Sequence, residues 1–211
     1  MTFAYPLLLP TTRLPVKISY APSAVVGLFK AARSLVRKTQ TFEGQEWKLR
    51  LTLPEKMSQA EASEFQAFVL SMNGVEGTCH ISPQDRKTPR GVGTGTPVVD
   101  GAGQLPRQNQ LNVRGLTSDT VGILKKMDFL QLGTGLNVHL HALLEDADTD
   151  ASGKTTLTLW PNIRETPNDG DPVIINSPVG LFALDSNDMN LGEVRAPLIY
   201  GGMILSVVEV L

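Results

Sequence analysis

The chain has 211 residues, of which 41% are hydrophobic and 19% are charged, enough apolar material to build a full core. This composition excludes an intrinsically disordered protein, and a net charge of −2 gives no field that would gather nucleic acid or anionic lipid. Nineteen glycines and fourteen prolines favour many short elements joined by turns, so we expect a mainly β protein.

The charges are distributed unevenly along the chain. Residues 1–56 hold nine basic and three acidic side chains, residues 57–142 hold seven of each, and residues 143–211 hold three basic and eleven acidic ones. One interpretation is that the two oppositely charged ends meet within one fold. The other is head-to-tail contact between subunits, because a heterologous interface that closes makes a ring.

Cys79 is the single cysteine, which leaves no disulfide framework and no thiolate cluster for a metal. We expect it to be a buried, inert thiol. The longest apolar stretches, such as residues 6–10, are far shorter than the ~20 residues that cross a bilayer, and no secretory signal is visible. The sequence therefore predicts folding in a reducing cytoplasm and no membrane span.

The first clear elements are a strand and a helix. Hydrophobic residues alternate with polar ones over residues 47–53, which predicts a strand with one solvated face. A capping box of Ser58 and Glu61 then predicts an amphipathic helix over about 57–73, with Asn73-Gly74 as its stop. Its hydrophobic residues have helical spacing and are Phe65, Phe68, Val69 and Met72.

Two segments are harder to assign. Residues 23–37 combine helical spacing with the β-branched pair Val25-Val26, so helix and strand both stay open. Residues 82–110 contain nine glycines and prolines and few aromatic residues. We expect a long loop or flexible insertion there, a feature that is usually functional or mobile.

The C-terminal half has β patterns. Residues 138–144 and 155–160 predict a hairpin around the acidic loop 145–153. Three further strands are predicted at residues 173–175, 181–184 and 203–211. In all, we expect nine or ten strands and one helix.

The acidic loop partly matches two ligand motifs. Residues 152–155 end like a phosphate-binding loop, but a β pattern follows where a helix is required. The alternating aspartates of residues 146–150 are typical of a calcium loop, but Ala151 and Leu157 stand where the turn glycine and the bidentate glutamate belong. We interpret this segment as a solvated loop tip and predict no dedicated metal or nucleotide site.

His139 and His141 are two residues apart on a predicted strand and so share one face, where they could supply two metal nitrogens. No third ligand is apparent, and we predict a polar strand face instead. Hydrolase motifs such as Gly-x-Ser-x-Gly and His-Glu-x-x-His are absent, so we expect neither an enzyme nor a cofactor. A hydrolase that uses paired carboxylates stays open as a third hypothesis.

Several short sequence patterns, considered together, are more informative than any single motif. The Trp47 strand, the helix of the type Ala-x-x-Phe-x-Ala-Phe at 62–68, Asn73-Gly74 and a strand through 77–80 form one set. The second set comprises residues 129–133, 144–146, 150–153, 157–161, 163–164 and 168–170. Over roughly residues 42–184, this pattern resembles the hub proteins at the distal end of long bacteriophage tails.

The resemblance implies that residues 1–211 form one tail-hub-like domain, a β-barrel or β-sandwich with one packed helix. It implies a structural protein of the tail tip, a ring, usually a hexamer, that continues the tail tube and joins it to the distal hub or receptor-binding apparatus. The expected partners are further copies of the chain, the tail tube, the tape measure and the hub. The expected location is the virion, after assembly in the host cytoplasm.

In such a ring, DNA passes through without specific binding, and carboxylates that face the lumen would repel its phosphates. The candidate lumen or interface residues lie in two acidic loops: Glu145, Asp146, Asp148, Asp150, Asp169 and Asp171. The alternative function is a carbohydrate- or receptor-binding β-sandwich. Only 12 Phe, Trp and Tyr residues are present, mostly at core-like positions, which disfavours that alternative.

Overall fold

The computed structural model describes residues 4–30 and 36–211. These residues are 40% strand and 6% helix, which confirms a mainly β fold with one helix. The elements in chain order are β1 Leu7–Leu8, β2 Lys17–Tyr20, β3 Ser23–Lys30, β4 Arg37–Glu46, β5 Lys48–Thr52, α1 Gln59–Ser71, β6 Thr78–Ile81, β7 Gly95–Val99, β8 Gln110–Leu116, β9 Phe129–Leu132, β10 His139–Leu143, β11 Thr155–Trp160, β12 Gly180–Leu184, β13 Glu193–Arg195, β14 Ile199–Gly201 and β15 Ile204–Glu209.

A six-stranded sheet has the order β1-β6-β12-β15-β5-β2. Its β5 strand is the predicted one, with Leu49 and Leu51 buried on one face, while the oppositely directed Arg50 is exposed. Strand β5 pairs with β15, so the first and last thirds of the described chain meet in this sheet. None of the ion pairs found among the described residues joins residues 1–56 to residues 143–211.

Helix α1 confirms the predicted capping box. The Ser58 hydroxyl accepts a hydrogen bond from the Glu61 backbone N–H at 3.3 Å, and the Ser58 N–H donates to the Glu61 carboxylate at 2.8 Å. Asn73 and Gly74, beyond the C-terminal cap, have φ of 49° and 70°, the left-handed conformation that the sequence predicted for the stop. The predicted apolar stripe is buried, and Phe68, Val69 and Met72 of it pack in the sheet core.

The second sheet has five strands in the order β7-β8-β11-β10-β9 and includes the predicted β10–β11 hairpin. Residues 170–174 hydrogen-bond to both of its edges. The Ile174 N–H donates to the Gln131 carbonyl on β9 at 3.0 Å, and the Val173 N–H donates to the Pro97 carbonyl on β7 at 3.0 Å. This segment therefore closes the five-stranded sheet on itself around a separate apolar core that contains Leu111, Leu130 and Leu157.

The two sheets are packed together. Phe129 and Leu140 of the second sheet lie in one apolar cluster with Phe182 of the first and with Trp47, which directly precedes β5. Cys79 is in the same cluster and fully buried, as predicted, and burial raises the pKa of its thiol to about 12. An elevated thiol pKa makes this side chain a poor nucleophile.

Two strand and loop assignments differ from the sequence prediction, and the described residues form fifteen strands where nine or ten were expected. Residues 82–110 are not a continuous loop, because Gly95–Val99 form β7 with Pro97 and Val99 buried. Residues 173–175 are not a regular strand, since Ile174 makes only a single bridge to Gln131. Within segment 23–37, Ser23–Lys30 is a strand, and residues 31–35 lie outside the described residues. Over the described ranges, no helix is long and apolar enough to cross a membrane.

Candidate functional site

Strands β3 and β4 form a two-stranded antiparallel sheet, here called the arm, that pairs with no other strand of the described residues. Large exposed apolar side chains lie on both of its faces, most of them on β3. An added Cβ at Gly27 would lie 3.0 Å from the Phe42 ring and 3.5 Å from the Phe29 ring, so both rings flank this glycine on one face. Val26 and Leu28 alternate with Gly27 and Phe29 and therefore project from the opposite face.

These apolar side chains of the arm and its connection are between 46% and 60% exposed: Val25, Val26, Leu28, Phe29, Val36 and Phe42. A two-stranded sheet with apolar residues on both faces is at best marginally stable in water. Isolated exposed apolar residues are ordinary on protein surfaces, but a cluster on one projecting element marks an interaction surface. The arm is therefore the region of the described chain that most needs a partner.

The edges of the arm are also open, whereas those of the two larger sheets are short, flanked by proline, or covered. Edge strand β1 has two residues and lies between Pro6 and Pro10, and edge strand β2 lies between Pro15 and Pro22. The edges of the second sheet are covered by residues 170–174. Short edges and proline prevent unwanted strand pairing, so the arm, with strands of eight and ten residues, presents the longest open edges in the described structure.

An apolar cavity of about 560 Å³ lies at the root of the arm. Its lining includes Tyr20, Trp47, Met127, Leu144 and Trp160. The two tryptophan rings meet edge to face with centroids 4.5 Å apart, and the Trp47 indole N–H donates to the Leu140 carbonyl at 2.9 Å. These contacts hold the aromatic lining rigidly, which suits the cavity to receive an apolar side chain.

The carboxylates of the first predicted acidic loop hold backbone N–H groups, both of the neighbouring residues 122–126 and of the loop itself. Asp146 accepts from the Lys126 N–H at 2.8 Å and pairs with the Lys125 ammonium at 3.2 Å, and these contacts lower its pKa. Asp148 accepts from the Gly122 N–H at 2.6 Å. Asp150 accepts from the N–H groups of residues 152 and 154 at 2.8 and 2.9 Å, which closes the β10–β11 connection.

The second acidic loop is engaged in the same way. Asp169 pairs with Arg114 and accepts from the Gly101 N–H at 2.8 Å, and these contacts lower its pKa. Asp171 accepts from the N–H of Asn168 at 2.7 Å. Glu145 has only a 3.4 Å contact from the Thr158 hydroxyl. Five of the six predicted residues therefore shape loops, and Glu145 is the least engaged.

His139 and His141, which the sequence predicted as a polar strand face, are not exposed to solvent. Both are buried, with 8% and 1% of their surface exposed, because the 163–172 segment covers this face of β10. The His141 Nδ1 lies 2.7 Å from the Pro161 carbonyl. Across residues 4–30 and 36–211, no group of three or more His, Cys, Asp and Glu side chains could hold a metal ion.

Two features of the site escaped sequence reasoning. The arm was hidden because residues 37–46 are largely polar and show no alternation, although the β-branched pair Val25-Val26 favoured a strand on the other side. The buried pair of Arg164 with Glu209, 2.9 Å apart, joins residues 45 positions apart and has no local signal. No protein-family model and no curated protein matches this chain.

Proposed function

We propose that this chain is a ring-forming structural component of a bacteriophage tail tip, in which the arm of each copy contacts the next copy. The observation that carries the proposal is the arm itself, a two-stranded sheet with apolar residues on both faces and both edges open. Assembly would bury these faces and pair these edges, which is how such an element gains stability. The ring and the tail tip follow from the resemblance of residues 42–184 to tail hub proteins.

The apolar cavity at the root of the arm is the surface that would receive the neighbour's arm. The donor and acceptor surfaces then differ, so the contact is heterologous and closes into a ring when its rotation permits. Strands β3 and β4 are nearly neutral, with Lys30, Arg37 and Lys38 against Glu43 and Glu46, so the proposed contact with the cavity is apolar rather than ionic.

The hypothesis that an acidic loop faces the lumen of the ring is kept for Glu145 only. Because Asp146, Asp148 and Asp150 hold loop backbone, replacing them would loosen the loops before it altered any lumen. Glu145 is the residue whose charge is free to act on passing DNA. Glu145→Gln should therefore change DNA ejection without changing assembly, if this loop faces the lumen.

Sedimentation velocity and negative-stain imaging of the purified protein test the proposal. The wild type should form rings, and Leu28→Glu with Phe29→Glu should be monomeric, because charges cannot enter an apolar interface. The matched control is Val194→Glu with Leu198→Glu, which places two charges on exposed apolar residues in and beside the β13–β14 hairpin. A monomeric wild type at tens of micromolar, or rings from the arm variant, would overturn the proposal.

A mixing experiment separates a head-to-tail contact from contact between two arms. Leu144→Glu alters the cavity, and we expect it alone to be monomeric. Mixed with the arm variant, it should give heterodimers and no rings, because the one intact arm can enter the one intact cavity. If the arms instead pair with each other, mixing the two variants should give no heterodimers. In a phage that encodes this chain, the arm variant should yield tails without tips and the control should stay infective.

A further inference from the structure

The arm has two apolar faces of different chemistry, so its orientation in the neighbour's cavity depends on which face suits the cavity wall. One face, here called the aromatic face, carries the rings of Phe29 and Phe42 on either side of Gly27. The opposite face, here called the aliphatic face, carries Val26 and Leu28. These four apolar side chains are between 46% and 60% exposed, so exposure alone does not distinguish the two faces.

The wall of the cavity at the root of the arm is aromatic, and two of its polar groups are already bonded. The ring of Trp47 meets the rings of Tyr20 and Trp160 edge to face, at centroid distances of 6.3 and 4.5 Å. The Tyr20 hydroxyl donates to the Asp85 carboxylate at 2.6 Å, and the Trp47 N–H donates to the Leu140 carbonyl. An occupant therefore meets mainly ring edges and faces, on which a further aromatic ring packs well in edge-to-face or offset geometry.

Met127, which also lines this cavity, has an unusual backbone conformation. Its φ is 64°, in the left-handed region that a long side chain rarely occupies. Its N–H donates to the Leu143 carbonyl at 2.7 Å, and its carbonyl accepts from the Arg86 guanidinium at 3.1 Å. Backbone strain of this kind concentrates at functional sites, and a thioether packs favourably against the edges of aromatic rings. The wall thus holds a strained residue whose side chain suits an aromatic occupant.

The cations at the outer end of the arm also distinguish its two faces. Lys30 lies directly opposite Arg37 in the register of the arm, so both of them lie on the aliphatic face. Lys38 lies opposite Phe29, on the aromatic face. Burying the aliphatic face in an apolar cavity would carry two like charges toward it. Burying the aromatic face would carry one, whose long side chain can keep its ammonium in water.

We infer that the neighbour's arm enters the cavity with its aromatic face, so that Phe29 and Phe42 are the anchor side chains of the contact. This inference rests on the proposed ring assembly and adds the chemistry that the cavity selects, which is an aromatic ring. The aliphatic face then lies around the contact rather than at its centre. Truncating it costs little affinity, although a charge placed there is still unfavourable.

The heterodimer of the mixing experiment tests this inference in a small, defined species. One chain is the arm variant with Leu28→Glu and Phe29→Glu, which keeps an intact cavity, and the other is Leu144→Glu, which keeps an intact arm. The second chain then also carries Phe29→Ala with Phe42→Ala. Its matched control carries Val26→Ala with Leu28→Ala instead. The aromatic pair should raise the dissociation constant of the heterodimer by about 100-fold or more, and the aliphatic pair by less than about 5-fold.

Both tryptophans of the chain line the cavity, which makes them reporters of its occupancy. With 5-fluorotryptophan in the arm variant alone, the only fluorine resonances of the heterodimer come from Trp47 and Trp160. At least one of them should shift when an unaltered arm binds. Such a shift would show that the partner's arm reaches the cavity.

Free ring compounds test the selectivity of the cavity without assembly. Toluene and methylcyclohexane are similar in size, but only toluene is aromatic. Toluene should shift the fluorine resonances of the monomeric arm variant saturably, and methylcyclohexane should bind at least ~5-fold more weakly.

The outcomes separate this inference from the proposed function. If the unaltered arm and the unaltered cavity form no heterodimer, the proposed function and the inference fall together. If both alanine pairs weaken the heterodimer equally, or the aliphatic pair weakens it more, the proposed function stands and the inference alone is overturned. The same holds if the fluorine resonances do not move in the heterodimer, or if toluene binds no more tightly than methylcyclohexane.

Discussion

The two-sheet body and the arm are both β structure, but they differ in where their apolar side chains lie and in how their strand edges are protected. In the body, apolar side chains point inward, and the edges are short, flanked by proline or closed by residues 170–174. In the arm, apolar side chains cover both faces and both edges are open. The contrast indicates that the body is complete as a single chain, whereas the arm lacks a packing partner among the described residues, which the proposed assembly would supply.

The two regions should differ most in how much stability is lost when a phenylalanine is truncated to alanine. Phe182→Ala, at a fully buried ring of the body, should lower the free energy of unfolding by about 3–5 kcal/mol. Phe29→Ala, on the arm, should change that of the monomer by less than about 0.5 kcal/mol. Denaturant unfolding of both, in a Leu28→Glu background that should weaken the proposed assembly, measures the difference. A loss above ~1.5 kcal/mol for Phe29→Ala would show that the arm packs on its own body.

The next largest expected effect is the difference in unfolding free energy between removing a buried ion pair and removing an exposed one. Glu209→Ala leaves the Arg164 guanidinium buried without its partner and should cost about 3 kcal/mol of unfolding free energy. The matched variant Glu193→Ala removes an exposed pair with Arg195 and should cost less than about 0.5 kcal/mol. Urea unfolding at pH 7 compares them, and equal effects would mean that Arg164 finds water when Glu209 is removed.

The pH dependence of the body should depend on its histidines. Burial lowers the pKa of His141 from 6.5 to about 3, so the unfolded chain binds the extra proton between these values and the folded chain does not. Stability from this group is therefore complete above pH 6.5 and falls as the pH drops, by up to about 1.4 kcal/mol per unit. His139 shifts in the same direction, while burial raises the pKa of Glu209, which gives the opposite slope.

A comparison of the wild type with His141→Phe isolates the contribution of His141 to the pH dependence of stability. Between pH 4 and 6, unfolding free energies of His141→Phe should depend less steeply on pH than those of the wild type, with Glu209 and His139 present in both. Identical slopes would indicate that His141 stays accessible to protons in the folded chain. Assembly through the arm, which lacks histidine, should respond much less over the same range.

The smallest effect concerns the capping box. Ser58→Ala removes an acceptor for the Glu61 N–H and should lower the free energy of unfolding by about 1 kcal/mol. Ser63→Ala, at an exposed position within the same helix, is the control and should be nearly neutral. Thermal unfolding of the two variants gives the comparison, and equal melting temperatures would show that Glu61 alone holds the helix start.

Local patterns predicted the body better than the site. The capping box, the apolar stripe of α1 and the alternation of β5 are encoded within a few residues, and each matches the structure. The burial of His141 could not be predicted, since the segment that covers it begins some twenty residues later. The arm was ambiguous because exposure on both faces removes the alternation by which a strand is recognised.

The position of β15 has a consequence for how the chain is made. Strand β15 spans residues 204–209 and lies in the interior of the six-stranded sheet, between β12 and β5. The ribosome releases β5 about 150 residues before its neighbour exists, so this half of the sheet stays open until synthesis has passed residue 209. A chain cut short before that point lacks the strand that joins the two halves of the sheet, and in the proposed assembly it could not supply a folded copy.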